Sequence, residues 1–261
     1  MDPNFEDVKI VAWTTTPWTL LSNVALAANG DSRYSLVKHD GEKLIIATKL
    51  LDTVLGEGNY EKIREFFGSD LLYKKYEPLF PYFEDLAEDN GFVVINADFV
   101  DTEPSSENIS TGFVHIAPAF GEDDYEVGKE YDLPFVQPID EKGFFDDSIP
   151  ELEGKYFKIT KENKEKEGVW DTDKWVIKKK KKMGKLLDTR DYTHDYPFCW
   201  RCHRALLYYA RESWFIEMSR YRFELLENND KVNWVPDTIG EGRFGNFLDN
   251  VRDWSLSRER F

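Results

Sequence analysis

The stretch Val11-Ala12-Trp13-Thr14-Thr15-Thr16-Pro17-Trp18-Thr19-Leu20, closed by Ser22 and Asn23, decides how this chain is read. Ahead of it, Val8, Ile10 and Val11 give an apolar, β-branched lead-in that predicts a buried strand. Pro17 should end that strand, because proline cannot donate to a ladder. Three successive hydroxyls then stand where strand gives way to loop, flanked by two indoles. Strict alternation would send Thr14 and Thr16 to one face and Thr15 to the other, whereas a loop entry can turn all three toward one cavity. A hydroxyl both donates and accepts, so the cluster suits a ligand with several oxygens, such as a ribose or an ester with its water. By residue types alone it is a threonine-rich strand followed by a proline turn.

A second segment, Thr111-Gly112-Phe113-Val114-His115-Ile116-Ala117-Pro118-Ala119-Phe120-Gly121-Glu122-Asp123-Asp124-Tyr125, runs strand, proline turn, glycine and acidic helix start. Around these two, residues 8–15, 34–38, 43–48, 92–95 and 111–116 read as short strands. His39-Asp40-Gly41-Glu42 reads as a hairpin turn, with Asp-Gly as its signal. Residues 61–67 read as a short helix ended by Gly68. A helix is expected from residues 121–124 toward Tyr131, its acidic first turn complementing the helix dipole. Residues 160–183 read as partly helical, with interruptions at Gly168 and at 171–173. Between 212 and 227, Trp214, Phe215, Met218, Tyr221 and Leu225 recur at helical spacing and predict a packing face. Strands dominate the first half and helices the second, so the pattern is α+β.

At 261 residues the chain is long enough to bury a real core, and no apolar run approaches the ~18 residues a membrane helix needs. The start, Met1-Asp2-Pro3-Asn4-Phe5-Glu6-Asp7, has neither the basic nor the apolar region of a signal peptide. Two cysteines do not make a disulfide framework, and a reducing cytoplasm is the simplest setting. A net charge of −16 argues against generic nucleic-acid binding. Residues 151–190 run the other way, with 13 Lys or Arg against 8 Asp or Glu. Most of that excess is Lys178 to Lys182 with Lys185, read as a solvated helix face. An acidic insert can still process an RNA terminus if other domains hold the RNA body.

Thr14-Thr15-Thr16-Pro17-Trp18-Thr19 together with Gly112 through Asp124 resembles the editing domain of isoleucyl-tRNA synthetases, the large insertion called connective peptide 1. The resemblance extends to Tyr196-Pro197-Phe198-Cys199-Trp200-Arg201-Cys202 and to Trp254-Ser255-Leu256-Ser257-Arg258-Glu259-Arg260-Phe261, four blocks in family order over nearly the whole chain. It implies a β-barrel-like core decorated by helices over residues 1–190, and a stretch, 191–261, leading back toward the catalytic domain. It implies hydrolysis of the ester between a wrong amino acid, usually valine, and the terminal ribose of tRNA(Ile). One methylene is worth only ~1–3 kcal/mol in an apolar pocket; isoleucine against valine is the standard illustration of that limit, and a second site removes the errors.

By the same resemblance, Asp124 pairs with the substrate α-ammonium and His115 limits pocket size. Thr14, Thr15 and Thr16 contact the terminal adenosine and orient water, Asn23 is a polar cleft residue, and Trp18 and Tyr196 wall the pocket. No Ser-His-Asp or Cys-His constellation is evident, so direct attack by a positioned water, assisted by the free ribose hydroxyl, fits the residue types. The general base is left open. Editing needs no cofactor on this reading. Cys199 and Cys202 form half of a tetrahedral zinc site, with His194 and His203 nearby, so zinc belongs to the full-length enzyme or the pair are reduced structural thiols.

Leu21 stands where the family usually has proline, which loosens φ in the loop leading to Asn23. The ATP signatures His-x-Gly-His and Lys-Met-Ser-Lys-Ser are absent, and Lys182-Met183-Gly184-Lys185 only superficially resembles the second. The expectation is an excised, monomeric insertion that cannot activate an amino acid, with the charged tRNA end and the rest of the synthetase as partners. Valyl- and leucyl-type inserts are expected to carry arginine after the second threonine, where this chain has Thr16, and the valyl type has lysine in place of His115. A non-catalytic tRNA-docking insert is the rival from another class.

Overall fold

Continuous buried runs organise the first two sheets of the computed structural model, which describes residues 7–105, 109–158, 171–193, 196–201 and 206–257. Strands β1 (Val8–Ile10), β2 (Ala25–Ala28), β3 (Arg33–His39) and β4 (Glu42–Ala47) are followed by a short helix, α1 (Leu51–Leu55), and by β5 (Glu61–Phe67). The first sheet has the order β1-β4-β3-β5. Asp40 and Gly41 both take positive φ, 48° and 85°, as the tight hairpin between β3 and β4 requires. Residues 61–67 form a strand, not the expected short helix ended by Gly68. They pair antiparallel with β3 through a register shift at Leu36/Val37, and Phe66 enters the core while Glu65 and Phe67 face out. Sheet pairing overrides a weak helical preference here.

The second sheet places β2 between β6 (Val93–Asn96), parallel to it, and β7 (Phe113–Ile116), antiparallel to it. The sequence reading missed β2, because Ala-Leu-Ala-Ala carries no strand signal of its own. Its side chains divide by the strand period: Leu26 and Ala28 join the core shared with the first sheet, and Ala25 and Ala27 join a second core with Ile95, Ile116 and Val136. Single links tie the sheets together, a bridge between Trp13 and Val114 and a bond from Ala47 N to Thr111 O at 2.9 Å. Among the described residues no ladder closes them into a barrel, so the expected barrel-like core is two open sheets within an α+β fold.

Two helices complete this part: α2 (Glu122–Glu130), as expected after Gly121, and α3 (Thr172–Lys182). Asp171 caps α3 by accepting from Lys174 N at 3.2 Å. The rest of the 160–183 expectation, residues 160–170, lies outside the described residues. The lysine run of α3 is not the uniformly solvated face expected. Lys180 is buried, its amine donating to Leu79 O and lying 3.6 Å over the Phe80 ring; Lys179 pairs with Glu151 and Lys185 with Glu77. Burial, helped by the charges of Lys185 and Lys179, brings the Lys180 amine down to about 7.

The chain divides into two compact units, 1–209 and 210–261. In the second, β8 (Phe215–Ile216) pairs with β9 (Trp254–Ser255), beside α4 (Arg222–Asp230) and α5 (Gly245–Asp249). The continuous helical face expected between 212 and 227 does not form. Trp214, Phe215 and Tyr221 are exposed, and helix starts only after a 3-10 turn at Ser219–Tyr221. No helix among the described residues is long and apolar enough to cross a membrane.

Candidate functional site

Pro17 does more than end a strand. It opens a 3-10 turn, Pro17–Ser22, with Thr16 as the residue before it. Residues three apart eclipse one another in such a turn, so Thr19 stacks beneath Thr16. Their hydroxyls lie 3.1 Å apart, and Thr19 Oγ1 donates to Thr16 O at 2.8 Å. Thr14 Oγ1 accepts from Thr16 N at 3.1 Å and lies 3.4 Å from Thr16 Oγ1. Thr15 is exposed, yet it lines the same cavity as its neighbours.

β7 brings His115 to this turn, with Nε2 3.0 Å from Thr19 Oγ1. The Thr19 hydroxyl thus stands at a junction of Thr16 O, Thr16 Oγ1 and His115 Nε2, and it either donates to the imidazole or accepts from it according to the ring's tautomer. Nδ1 is buried with no hydrogen-bond partner among the described residues. Burial pulls the His115 pKa down from 6.5 to about 4, so the ring is neutral at pH 7.

Asp124 closes the far side from the first turn of α2. Its Oδ1 accepts from Ala117 N at 2.7 Å, pinning the end of β7 to the start of the helix. Gly121 makes room for this, since a Cβ there would lie 2.2 Å from Asp124 Oδ2. Asp124 is half-buried, and burial raises its pKa above the ordinary carboxylate value, opposed by the backbone bonds it accepts.

These groups share one cavity of about 310 Å³, lined by Trp13, Thr14, Thr15, Thr16, Thr19, Val114, His115, Ala117, Phe120 and Asp124. That volume lies at the small end of ligand pockets, which run about 300–1,000 Å³. The chain thus gathers the threonines, His115 and Asp124 from segments a hundred residues apart in sequence. Trp18 stands behind the wall: it is buried, and its ring meets Phe120 and Phe157 edge-on at 5.0 Å each. Asn23 is buried outside the lining, donating to Ala25 O at 2.8 Å and accepting from Tyr76 Oη at 2.6 Å. Tyr196 also lies outside it, under the Lys158 ammonium and bonded to Leu206 O at 2.9 Å. Sequence reasoning assigned no role to Thr19, Phe120 or Trp13. Reading Pro17 as the first residue of a helical turn would have placed Thr19 beside Thr16.

Cys199 is half-buried, while Cys202, His194 and His203 lie outside the described residues. Among the described residues no three His, Cys, Asp or Glu side chains converge as a metal site, so the donors in view do not complete a zinc centre.

Residues 4–261 match the family model for "tRNA synthetases class I (I, L, M and V)". The chain belongs to the class I tRNA synthetases. Similar curated proteins are the isoleucine–tRNA ligases of Clostridium novyi (44% identical over 98% of this chain), Clostridium tetani (45% over 98%) and Picrophilus torridus (41% over 96%). The chain spans 23% of the length of the two clostridial relatives. Among solved structures it is similar to GlLeuRS-CP1 (24% identity, TM-score 0.39, covering 47% of this chain and 44% of that one). It is also similar to the Plasmodium falciparum cytosolic leucyl-tRNA synthetase editing domain (14%, TM-score 0.38, 49% of each). This synthetase segment carries a cavity in which hydroxyls, an imidazole and a carboxylate are set among apolar side chains, but neither ATP signature.

Proposed function

We propose that this segment is the hydrolytic editing site of an isoleucyl-tRNA synthetase, cleaving valine from mischarged tRNA(Ile). The observation that carries the reading is Asp124, a half-buried carboxylate facing the cavity whose charge burial disfavours. A substrate ammonium would relieve that cost, which a neutral ligand could not. The terminal ribose and adenine would lie along Thr14, Thr15 and Thr16, and the amino-acid side chain against Val114, His115 and Phe120. Water oxygen bonds to the ester carbonyl carbon, the carbon–ribose oxygen bond breaks, and the water's proton passes to the ribose oxygen, giving free valine and uncharged tRNA. His115 serves as a wall: it is neutral, and its Nε2 is committed to Thr19.

The partners on this reading are the 3′ end of valine-charged tRNA(Ile) and the remainder of the synthetase, in the cytoplasm. The test is deacylation of Val-tRNA(Ile) by the full-length enzyme and by its Asp124→Ala variant. Loss of the ammonium contact should cost about 2–4 kcal/mol of transition-state stabilisation, enough to abolish measurable editing. Wild-type rates in the variant would remove Asp124 from the site, and no deacylation by the wild type would leave a docking insert.

A further inference from the structure

The 3-10 turn that carries Thr19 lacks a cap of its own. Thr16 precedes it but makes no side-chain capping bond, and Pro17 has no N–H to offer. The first free donor is therefore Trp18 N, and its partner comes from far along the chain: Asp173 Oδ1, at 3.0 Å. Asp173 is the second residue of α3, and its own helix does not need it, because Asp171 already caps that terminus.

The surroundings hold this carboxylate in place. Thr172, fully buried, donates to Tyr156 O at 3.1 Å, and Val176, one turn on, shares a core with Trp18, Phe120 and Phe157. The Asp173 carboxylate thus holds the Trp18 backbone while the Trp18 side chain is set in the same core that buries Val176. Trp18 immediately precedes Thr19, whose hydroxyl meets both Thr16 and His115. Burial pushes the Asp173 pKa up, while Lys158 and the Trp18 amide act against that rise.

We propose that Asp173 is a positioning residue of the editing cavity, fixing the Pro17–Ser22 turn so that the Thr16 and Thr19 hydroxyls meet His115 and the bound ester. The proposal rests on the editing reading for what the cavity does, and on the Asp173–Trp18 bond for how its wall is set. Asp173 touches no reacting atom. It acts through one backbone amide.

The test uses the full-length synthetase with Asp173→Ala and Asp173→Asn. Asparagine keeps an oxygen acceptor for Trp18 N and alanine does not. A misplaced turn should lower kcat for Val-tRNA(Ile) hydrolysis about 10–30-fold in Asp173→Ala with KM within about twofold, while Asp173→Asn stays within about threefold of wild type. Hydrogen exchange should quicken in the peptide covering 17–22 of the alanine variant alone, with β2 and β3 unchanged. Wild-type hydrolysis in Asp173→Ala overturns the proposal, as does an asparagine variant as slow as alanine. A general fall in melting temperature with editing and charging lost together also overturns it, in favour of a purely structural role. If the wild type does not hydrolyse Val-tRNA(Ile), the editing reading fails by itself. Exchange then judges Asp173, and an unchanged 17–22 peptide in the alanine variant refutes the positioning claim.

Discussion

His115 shows how one side chain can be fixed chemically by its neighbours. Its Nε2 is held by Thr19 Oγ1, which in turn is held by Thr16 O. The buried ring resists a charge, and this has a pH consequence with a definite sign. Its pKa falls from 6.5 unfolded to about 4 folded, so the unfolded chain binds the extra proton between those values. The contribution of His115 to stability is complete above pH 6.5 and is lost as pH falls toward 4. The loss is roughly 1.4 kcal/mol per pH unit, up to about 3 kcal/mol in all. Urea melts of wild type and His115→Gln across pH 4–7 should differ in slope, with the variant flatter; parallel curves would show that the ring is not held neutral. The same residue sets the cavity's size on the editing reading, so His115→Ala should admit isoleucine and begin to cleave Ile-tRNA(Ile). A variant that loses Val-tRNA(Ile) cleavage and gains none on Ile-tRNA(Ile) would point to a base.

At the level of elements, much of the fold was legible because local rules and tertiary pairing agreed. The Asp40-Gly41 hairpin, strands β3, β4, β6 and β7, and the acidic start of α2 each carry their own signal. β2 and β5 were illegible for opposite reasons. Ala25–Ala28 is a strand because two cores and two neighbours enclose it, and Glu61–Phe67 because β3 offers it a ladder. In the cavity, the threonine block, His115 and Asp124 could be named from the sequence, but not the 3-10 geometry that adds Thr19 or the core position that withdraws Trp18. The entry to β7 illustrates a requirement that is visible once the elements are in place. Gly112 has φ +84°, and a Cβ there would sit 2.3 Å from Ala47 Cβ. Gly112→Ala should therefore destabilise the chain by about 2–4 kcal/mol, from left-handed strain and overpacking together. Calorimetry checks this, and a change below about 1 kcal/mol would mean that the sheets part easily at this point.

Across the whole molecule, the cavity is an assembly of distant parts. Ala25 pairs with Val93 on one side and Ile116 on the other, and Trp18 leans on Asp173. The β3–β4 hairpin closes through neighbouring residues, whereas the second sheet must first close long loops. Pulse-labelled exchange during refolding should protect amides of residues 34–47 before those of 25–28 and 113–116; simultaneous protection would refute this order. The Trp18–Asp173 bond carries this ordering onto the ribosome. At about 5–20 residues per second, many seconds pass between the emergence of the threonines and that of the helix that steadies them. Through that interval the nascent chain holds its hydroxyls without the carboxylate that bonds Trp18 N, so on the positioning proposal the Pro17–Ser22 turn is set only once α3 has left the tunnel.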